Sequence, residues 1–145
     1  MLSVERDTAW AMSEENVELV RRSTDAYNRR DLDGFLENWA PDAVVDWSNS
    51  RGFEAGVYRG HGEIRAFTQQ FLAAFDEVRI ELLADPVEVQ DGLLVAENVT
   101  YLQGRDGIEV EARSAWLITI RDGEQTSLTL YQTKQEALEA AGLSE

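Results

Sequence analysis

The clearest structural signal in this chain lies in residues 91–123, whose sequence is DGLLVAENVTYLQGRDGIEVEARSAWLITIRDG. Three Asp-Gly pairs divide this segment, at Asp91-Gly92, Asp106-Gly107 and Asp122-Gly123. Asp-Gly between apolar runs is among the strongest hairpin signals, because a tight turn needs residues that tolerate a positive φ. The second half of the chain is therefore predicted to be an antiparallel meander, with strand-like runs at about 78–90, 93–104, 108–121 and 124–132.

The first half of the chain has helical periodicity instead. Apolar residues recur every three or four positions, which predicts helices at 14–29, 32–39 and 62–75. The remaining segments are predicted to be a strand at 43–47, a loop at 48–60 and a short helix at 134–141. Helices followed by long, bent strands predict an α+β fold, in which a cone-shaped, curved antiparallel sheet packs over the N-terminal helices and encloses a pocket.

Length and composition indicate a single domain. The chain has 145 residues and no cysteine, which excludes disulfides and thiol chemistry. Its start is charged and lacks a signal-peptide core, so we expect a cytoplasmic location. We expect residues 1–12 to be a disordered N-terminal extension and residues 13–145 to form the domain, because Ser13 and the acidic residues after it are typical of a helix start.

The charge balance limits the partners that we expect. The 28 acidic residues outnumber the 13 basic ones, and the net charge is −15. Such a surface repels phosphate backbones and anionic lipid, so we expect neither nucleic acid nor a membrane as a partner. With one histidine and no cysteine, a zinc or iron site would need carboxylates, and no spacing indicates one. We expect no metal and no cofactor.

Period-two alternation gives the predicted sheet two different faces. One face is apolar and uncharged, and we expect it to be the concave face under the helices. Its polar groups include Asn98, Ser114 and Gln132, and Ser23 lies opposite on the first helix. Two interpretations stay open: each group is satisfied by a neighbour or a buried water, or the groups converge on a small-molecule pocket. The other face mixes charges with aromatic residues, which favours a homodimer through that face.

Four segments resemble the nuclear transport factor 2-like superfamily and, within it, the SnoaL-like proteins. They are NRRDLDG at 28–34, APDAVVDW at 40–47, VYRGH at 57–61 and RDG at 121–123, and the similarity covers roughly residues 13–142. The resemblance implies an α+β cone (the cystatin-like or SnoaL-like α+β barrel), usually homodimeric through the outer sheet face. The superfamily includes ketosteroid isomerase, polyketide cyclases, epoxide hydrolases, dehydratases and many members without a known activity.

The same resemblance places three residues where ketosteroid isomerase-like enzymes keep their catalytic groups. Trp47 takes the place of the carboxylate base, Trp116 falls at or beside that of the proton-donating acid, and Ser23 lies near that of the tyrosine donor. An indole cannot act as a base, so we do not expect classical ketosteroid isomerisation. Trp47 and Trp116 are then either core residues or walls of a pocket for a flat or aromatic ligand.

Two titratable residues are candidates for proton transfer. Asp46 is the carboxylate nearest the base position, although strict alternation turns it to the opposite face. His61 is the only histidine, and its unperturbed pKa lies near neutrality. The alternatives are a solvated acid for Asp46 and a turn residue beside a helix cap for His61.

These observations lead to two functional hypotheses. The first is a small-molecule-binding domain with an apolar pocket. Its ligand is a small apolar or aromatic molecule. Its chemistry, if any, is cofactor-independent acid-base catalysis of the isomerase, cyclase, dehydratase or hydrolase type. Its catalytic candidates are Asp46 and His61, and its pocket candidates are Ser23, Trp47, Asn98, Ser114, Trp116 and Gln132. The second is a non-catalytic, dimeric accessory or ligand-binding module.

Overall fold

The computed structural model describes residues 2–51, 54–104 and 106–142, with side chains from Glu14 onward. Its helices are α1 (Leu2–Asn28), α2 (Leu32–Leu36), α3 (Gly60–Ala73) and α4 (Lys134–Ala140). Its strands are β1 (Trp39–Asp46), β2 (Val57–Arg59), β3 (Glu77–Leu82), β4 (Val87–Gln90), β5 (Leu93–Gln103), β6 (Glu109–Arg121) and β7 (Glu124–Tyr131).

The seven strands form one curved, open sheet in the order β2-β1-β7-β6-β5-β3, and β4 pairs with β5 next to β3. Every pairing is antiparallel except that of β1 with β7, which is parallel. The helices precede or follow the long strands rather than alternating with them, as in other α+β folds. The predicted fold class, a curved antiparallel sheet over N-terminal helices, is confirmed.

All three Asp-Gly pairs lie at hairpin turns, as predicted. Asp122 and Gly123 have φ values of 54° and 78°, so both central residues of that turn are in the left-handed region. Gly92 has a φ of 75°, and a Cβ atom there would lie only 2.6 Å from the carbonyl oxygen of Ile120. The Asp91-Gly92 turn thus tolerates no side chain at Gly92, for reasons of both conformation and space.

Two predicted elements differ from the structure. The run predicted at 78–90 is two strands, because the segment around Pro86, which lacks an amide donor, leaves the ladder. The predicted second helix ends at Leu36 rather than at Trp39, and Trp39 begins β1. At this point the Asn38 side chain bonds the Gly34 carbonyl, while the Asn38 carbonyl accepts from the amide of Gln125 in β7, so the chain turns into the sheet.

Helix α1 begins at Leu2, although the sequence predicted an extension with little structure over residues 1–12. Residues 2–12 contain neither Gly nor Pro and several strong helix formers, which is compatible with a continued helix. The domain boundary between residues 12 and 13 stays a prediction. None of the helices in the described part of the chain combines the length and apolar composition needed to cross a membrane.

The end of α1 is tied to the edge of the sheet by one side chain. Asn28 Nδ2 donates to the carbonyl oxygen of Ile80, 2.8 Å away, and the Ile80 amide donates to Asn28 Oδ1 at 2.9 Å. The carboxamide therefore pairs with both backbone groups of one residue in β3, which fixes the distance between α1 and the sheet.

The core lies between the helices and the sheet face that alternation predicted to be concave. Buried residues of that face include Leu94, Ala96, Trp116, Ile118, Leu128 and Leu130, and they pack in one cluster with Leu19 and Val20 of α1 and with Ile64 and Phe67 of α3. The face assignment is confirmed for these positions.

The opposite sheet face has a partner within the same chain. Val95 and Ala115 are buried there together with Ala137 of α4, and the partly buried Leu117 and Tyr131 pack against them. Helix α4 therefore covers part of the face that the sequence predicted for a second subunit. The homodimer stays a prediction.

Candidate functional site

A cavity lies between the concave sheet face and helices α1, α2 and α3. It encloses about 680 Å³ of space free of atoms, including its opening, and about 70 Å³ of this space admits the centre of a water-sized sphere. The smaller of these volumes is the one comparable with small-molecule pockets, which measure roughly 300–1,000 Å³, so the cavity is small. Its aliphatic lining consists of Val20, Val45, Ile64, Ile80 and Leu128.

Aromatic rings make up the largest share of the described lining. Seven side chains contribute, namely Tyr27, Phe35, Trp39, Trp47, Phe67, Phe71 and Trp116. On one side Phe35 contacts Tyr27 and Trp39 edge to face, at centroid distances of 5.6 and 5.9 Å. On another side Trp47 packs against Phe67 at 5.5 Å and Phe71 at 6.4 Å. These contacts orient six of the seven rings around the empty space.

Polar side chains of the lining are uncharged and mostly satisfied within the protein. The hydroxyls of Thr24 and Thr68 donate to carbonyl oxygens of their own helices, at Val20 and Ile64. Gln125 Nε2 donates to Ser23 Oγ at 3.2 Å, and both side chains are buried. This pair joins β7 to α1 beside the cavity.

Two donors of the lining are not satisfied. Nε1 of Trp39 and Nε1 of Trp116 are buried and have no acceptor among the described residues. An indole N–H is only a donor, and leaving it buried without a partner costs roughly 1–3 kcal/mol.

Tyr27 is the one titratable residue among the described side chains of the lining. Burial raises the pKa of its phenol well above the ordinary value of 10.0, and the nearby Arg30 opposes this rise only in part. The phenol is therefore neutral at physiological pH, so the described lining carries no charge.

The predicted pocket residues fall into two groups. Ser23, Trp47 and Trp116 line the cavity. Asn98 and Ser114 lie outside its lining and pair with each other: Ser114 Oγ donates to Asn98 Oδ1 at 3.1 Å, and Asn98 Nδ2 donates to the Ala96 carbonyl at 3.3 Å. Neighbouring groups thus satisfy this buried amide, and a direct role of the pair in binding stays a prediction.

Gln132 also lies outside the lining. It follows the last residue of β7, Tyr131, so strand alternation no longer applies to it. Its Nε2 donates to the Asn49 carbonyl at 2.8 Å, and its amide donates to Glu136 Oε1 at 2.9 Å. These bonds connect the end of β7 to the loop after β1 and to α4.

Neither predicted catalytic candidate lines the cavity. Asp46 Oδ1 accepts from the Ser48 amide at 3.0 Å and from Ser48 Oγ at 2.6 Å, so the carboxylate stabilises the turn after β1. His61 Nε2 lies 2.9 Å from the Trp39 carbonyl oxygen, and because a carbonyl only accepts, this nitrogen is the donor. The ring therefore ties the start of α3 to β1, and the catalytic role of either residue stays a prediction.

Sequence reasoning missed Gln125, Trp39 and Tyr27. Strict alternation from Leu128 and Leu130 assigns Gln125 to the outer face. However, Thr119 pairs with Ser127 and Ile120 with Gln125, so one extra residue of β7 forms a bulge. The bulge turns Gln125 to the inside. The mostly polar sequence of β7, EQTSLTLY, contains no signal that marks this bulge.

Within the residues that the structure describes, no three His, Asp or Glu side chains are close enough together to hold a metal ion.

Comparisons with known proteins agree with this architecture. The sequence profile of the family described as SnoaL-like domain matches residues 20–128. Uncharacterized proteins of Mycobacterium tuberculosis and Mycobacterium bovis are 31% identical over 126 residues, which is 86% of this chain and 94% of theirs.

Solved structures share the fold at lower identity. An NTF2-like protein of unknown function from Burkholderia pseudomallei is 22% identical, with a TM-score of 0.72 over 86% of this chain and 95% of that one. A Mycobacterium tuberculosis protein in complex with estradiol-17β-hemisuccinate is 15% identical, with a TM-score of 0.71 over 82% of this chain and 94% of that one. Together with the profile match and the mycobacterial relatives, the fold leads to one conclusion: this chain belongs to the SnoaL-like domain family.

Proposed function

We propose that this protein binds a small, flat and largely apolar molecule in the aromatic cavity. The observation that carries the proposal is the lining, in which seven aromatic rings surround free space and no described side chain is charged. Aromatic faces contact a flat ligand over a large area, and each 100 Å² of apolar ligand surface removed from water contributes roughly 2.5 kcal/mol.

The lining selects against charged ligands. A carboxylate or an ammonium group would lose its hydration on entry, and no described lining residue offers an opposite charge. The net charge of −15 disfavours anions further. The expected ligand is therefore neutral.

The size of the cavity favours a compact ligand of one or two rings. Only about 70 Å³ is wide enough for the centre of a water-sized sphere, so a larger ligand requires side chains to move. The lining side chains that are only partly buried, and so have room to move, include Phe35, Trp47, Phe71 and Ile80. The related Mycobacterium tuberculosis protein, which holds estradiol-17β-hemisuccinate, supports a small-molecule role for this fold.

We favour binding over proton-transfer catalysis. A general base must come within hydrogen-bond reach of the proton that it removes. Asp46 and His61 lie outside the described lining and are engaged with Ser48 and the Trp39 carbonyl. Tyr27, with its raised pKa, is suited to donate a hydrogen bond rather than to act as a base at neutral pH.

A homodimer is a further proposal. Helix α4 covers only part of the outer sheet face, where Ala137 packs on Val95 and Ala115. The rest of that face carries charged residues and the half-buried ring of Tyr101, a composition that suits contact with a second subunit. A second copy of the chain is the partner that we propose for this uncovered part.

A thermal unfolding screen tests the proposed binding. The library consists of neutral one- and two-ring compounds, and a ligand that binds only the folded state raises the unfolding midpoint. Val45 lines the cavity, whereas its neighbour Val44 faces the other side of β1. We expect Val45→Phe to fill the cavity and abolish the shift, and Val44→Phe to retain it. Absence of any shift for the wild-type protein, or equal shifts for both variants, would refute the proposal.

A further inference from the structure

The unsatisfied donors of the cavity narrow the class of ligand, if the proposed binding function holds. We propose that the cavity selects a neutral ligand that carries a hydrogen-bond acceptor, such as a ketone oxygen, and that this oxygen accepts from the indole N–H of Trp116 or Trp39.

The first step of the argument is the inventory of donors. Trp39 and Trp116 both line the cavity, and their Nε1 atoms are buried without an acceptor among the described residues. Most buried polar groups in native proteins have a partner, so two orphan donors around a single cavity indicate that a partner is supplied from outside the chain.

The second step is that four of the other polar side chains of the lining are already engaged. Thr24 and Thr68 donate to helix carbonyls, and Ser23 accepts from Gln125. The donors that remain for a ligand are the two indole N–H groups and the hydroxyls of Tyr27 and Thr100, and an indole N–H can bond only an acceptor.

The third step is the charge of that acceptor. Carboxylates and phosphates also accept hydrogen bonds, but they need a cation or several donors when water is removed. No Lys, Arg or His is among the described residues of the lining. A carbonyl oxygen needs only one or two donors. A flat, conjugated molecule that carries such an oxygen matches the aromatic walls of the cavity.

The test compares two compounds of the same shape, 1-indanone and indane, which differ by one carbonyl group. Titration calorimetry gives the dissociation constant of each compound for the wild-type protein and for the variants Trp39→Phe, Trp116→Phe and Trp47→Phe. The first two remove an orphan N–H and keep an aromatic ring. Trp47→Phe is the matched control, because Trp47 lines the same cavity and its nitrogen is not among the orphan donors.

We expect Trp116→Phe or Trp39→Phe to lower the preference for 1-indanone over indane by about fivefold to tenfold, the usual effect of one hydrogen bond. Trp47→Phe should change both affinities alike. A preference that is the same in all four proteins, while indane still binds, would refute the inference and leave the proposed function standing. No binding of either compound to the wild-type protein would refute both.

A second measurement needs only the wild-type protein, so it does not depend on whether the variants fold. In the wild-type protein labelled with ¹⁵N, the indole N–H resonances report directly on hydrogen bonding. Saturation with 1-indanone should move one of the two buried indole protons downfield, and saturation with indane should not. Equal shifts with both compounds would contradict a hydrogen bond to the carbonyl.

Discussion

Gln125 Nε2 and Ser23 Oγ form a hydrogen bond of 3.2 Å between β7 and α1, and the two side chains are 1% and 4% exposed. The bond joins parts of the chain that are 102 residues apart. It depends on the bulge that turns Gln125 inward, and the Gln125 amide itself donates to the Asn38 carbonyl. Gln125 thus fixes the relative positions of α1, β1 and β7 around the cavity.

The Gln125–Ser23 pair predicts a non-additive double-mutant cycle. Ser23→Ala leaves the Gln125 carboxamide buried without its partner, and we expect a loss of about 1–3 kcal/mol in the free energy of unfolding. Gln125→Leu in the same background removes the orphan amide, so the double variant should be less destabilised than the sum of the single variants. Urea unfolding measures all four proteins. Additive losses would show that the two side chains are not coupled.

His61 is predicted to act on stability through the Trp39 carbonyl. His61→Ala should lower the free energy of unfolding by about 0.5–1.5 kcal/mol, the typical net value of one hydrogen bond. His61→Gln retains an N–H donor and should recover part of the loss. Equal losses in the two variants would show that the bond of 2.9 Å is not what stabilises this junction.

We predict that the ionisation of Tyr27 lowers the stability of the folded protein at alkaline pH. Burial raises the pKa of its phenol in the folded protein, whereas in the unfolded chain it ionises near its ordinary value of 10.0. The stabilising effect is fully present below that value. Above it the unfolded state releases the proton first, so the free energy of unfolding falls by up to about 1.4 kcal/mol per pH unit.

Urea unfolding of wild-type protein and Tyr27→Phe between about pH 9 and pH 11 isolates this effect. The variant should lack the part of the alkaline slope that Tyr27 causes. Tyr101→Phe is the control, because Tyr101 lies partly exposed on the outer face of β5. Identical slopes in wild type and Tyr27→Phe would contradict the burial of the phenol.

We predict that substitution by alanine destabilises the protein to different extents at two turn glycines. Both Gly92 and Gly123 have a positive φ, and an alanine in either place costs about 1 kcal/mol or more for that conformation alone. At Gly92 the new Cβ would also lie 2.6 Å from the Ile120 carbonyl oxygen, whereas at Gly123 nothing lies within 4 Å. Gly92→Ala should therefore be clearly the more destabilising in thermal unfolding. Equal midpoints would contradict the close approach.

The sequence was sufficient to predict features that depend only on neighbouring residues. The Asp-Gly pairs predicted the hairpins, and alternation along β5 and β6 placed Leu94, Trp116 and Ile118 on the inner face. It failed where long-range pairing overrides the local pattern. Trp39 has helical spacing but begins β1, because Asn38 pairs with Gln125 of a strand far along the chain.

The same reason explains why the lining of the cavity differs from the predicted set of pocket residues. The bulge in β7 reverses the face of Gln125, and strict alternation does not anticipate it. Asn98 and Ser114 were predicted to line the pocket, but they bond each other, and this bond depends on the register of β5 and β6. A single sequence fixes no such register in advance.

The paired bonds between Asn28 and Ile80 have a consequence for the behaviour of the protein in concentrated solution. An open sheet ends in a strand whose free N–H and C=O groups can recruit a strand from another molecule. At the midpoint of β3 those groups are occupied by a carboxamide that imitates a peptide bond but cannot be extended. Asn28 thus occupies the backbone groups through which a strand of another molecule would pair at this point of the sheet edge.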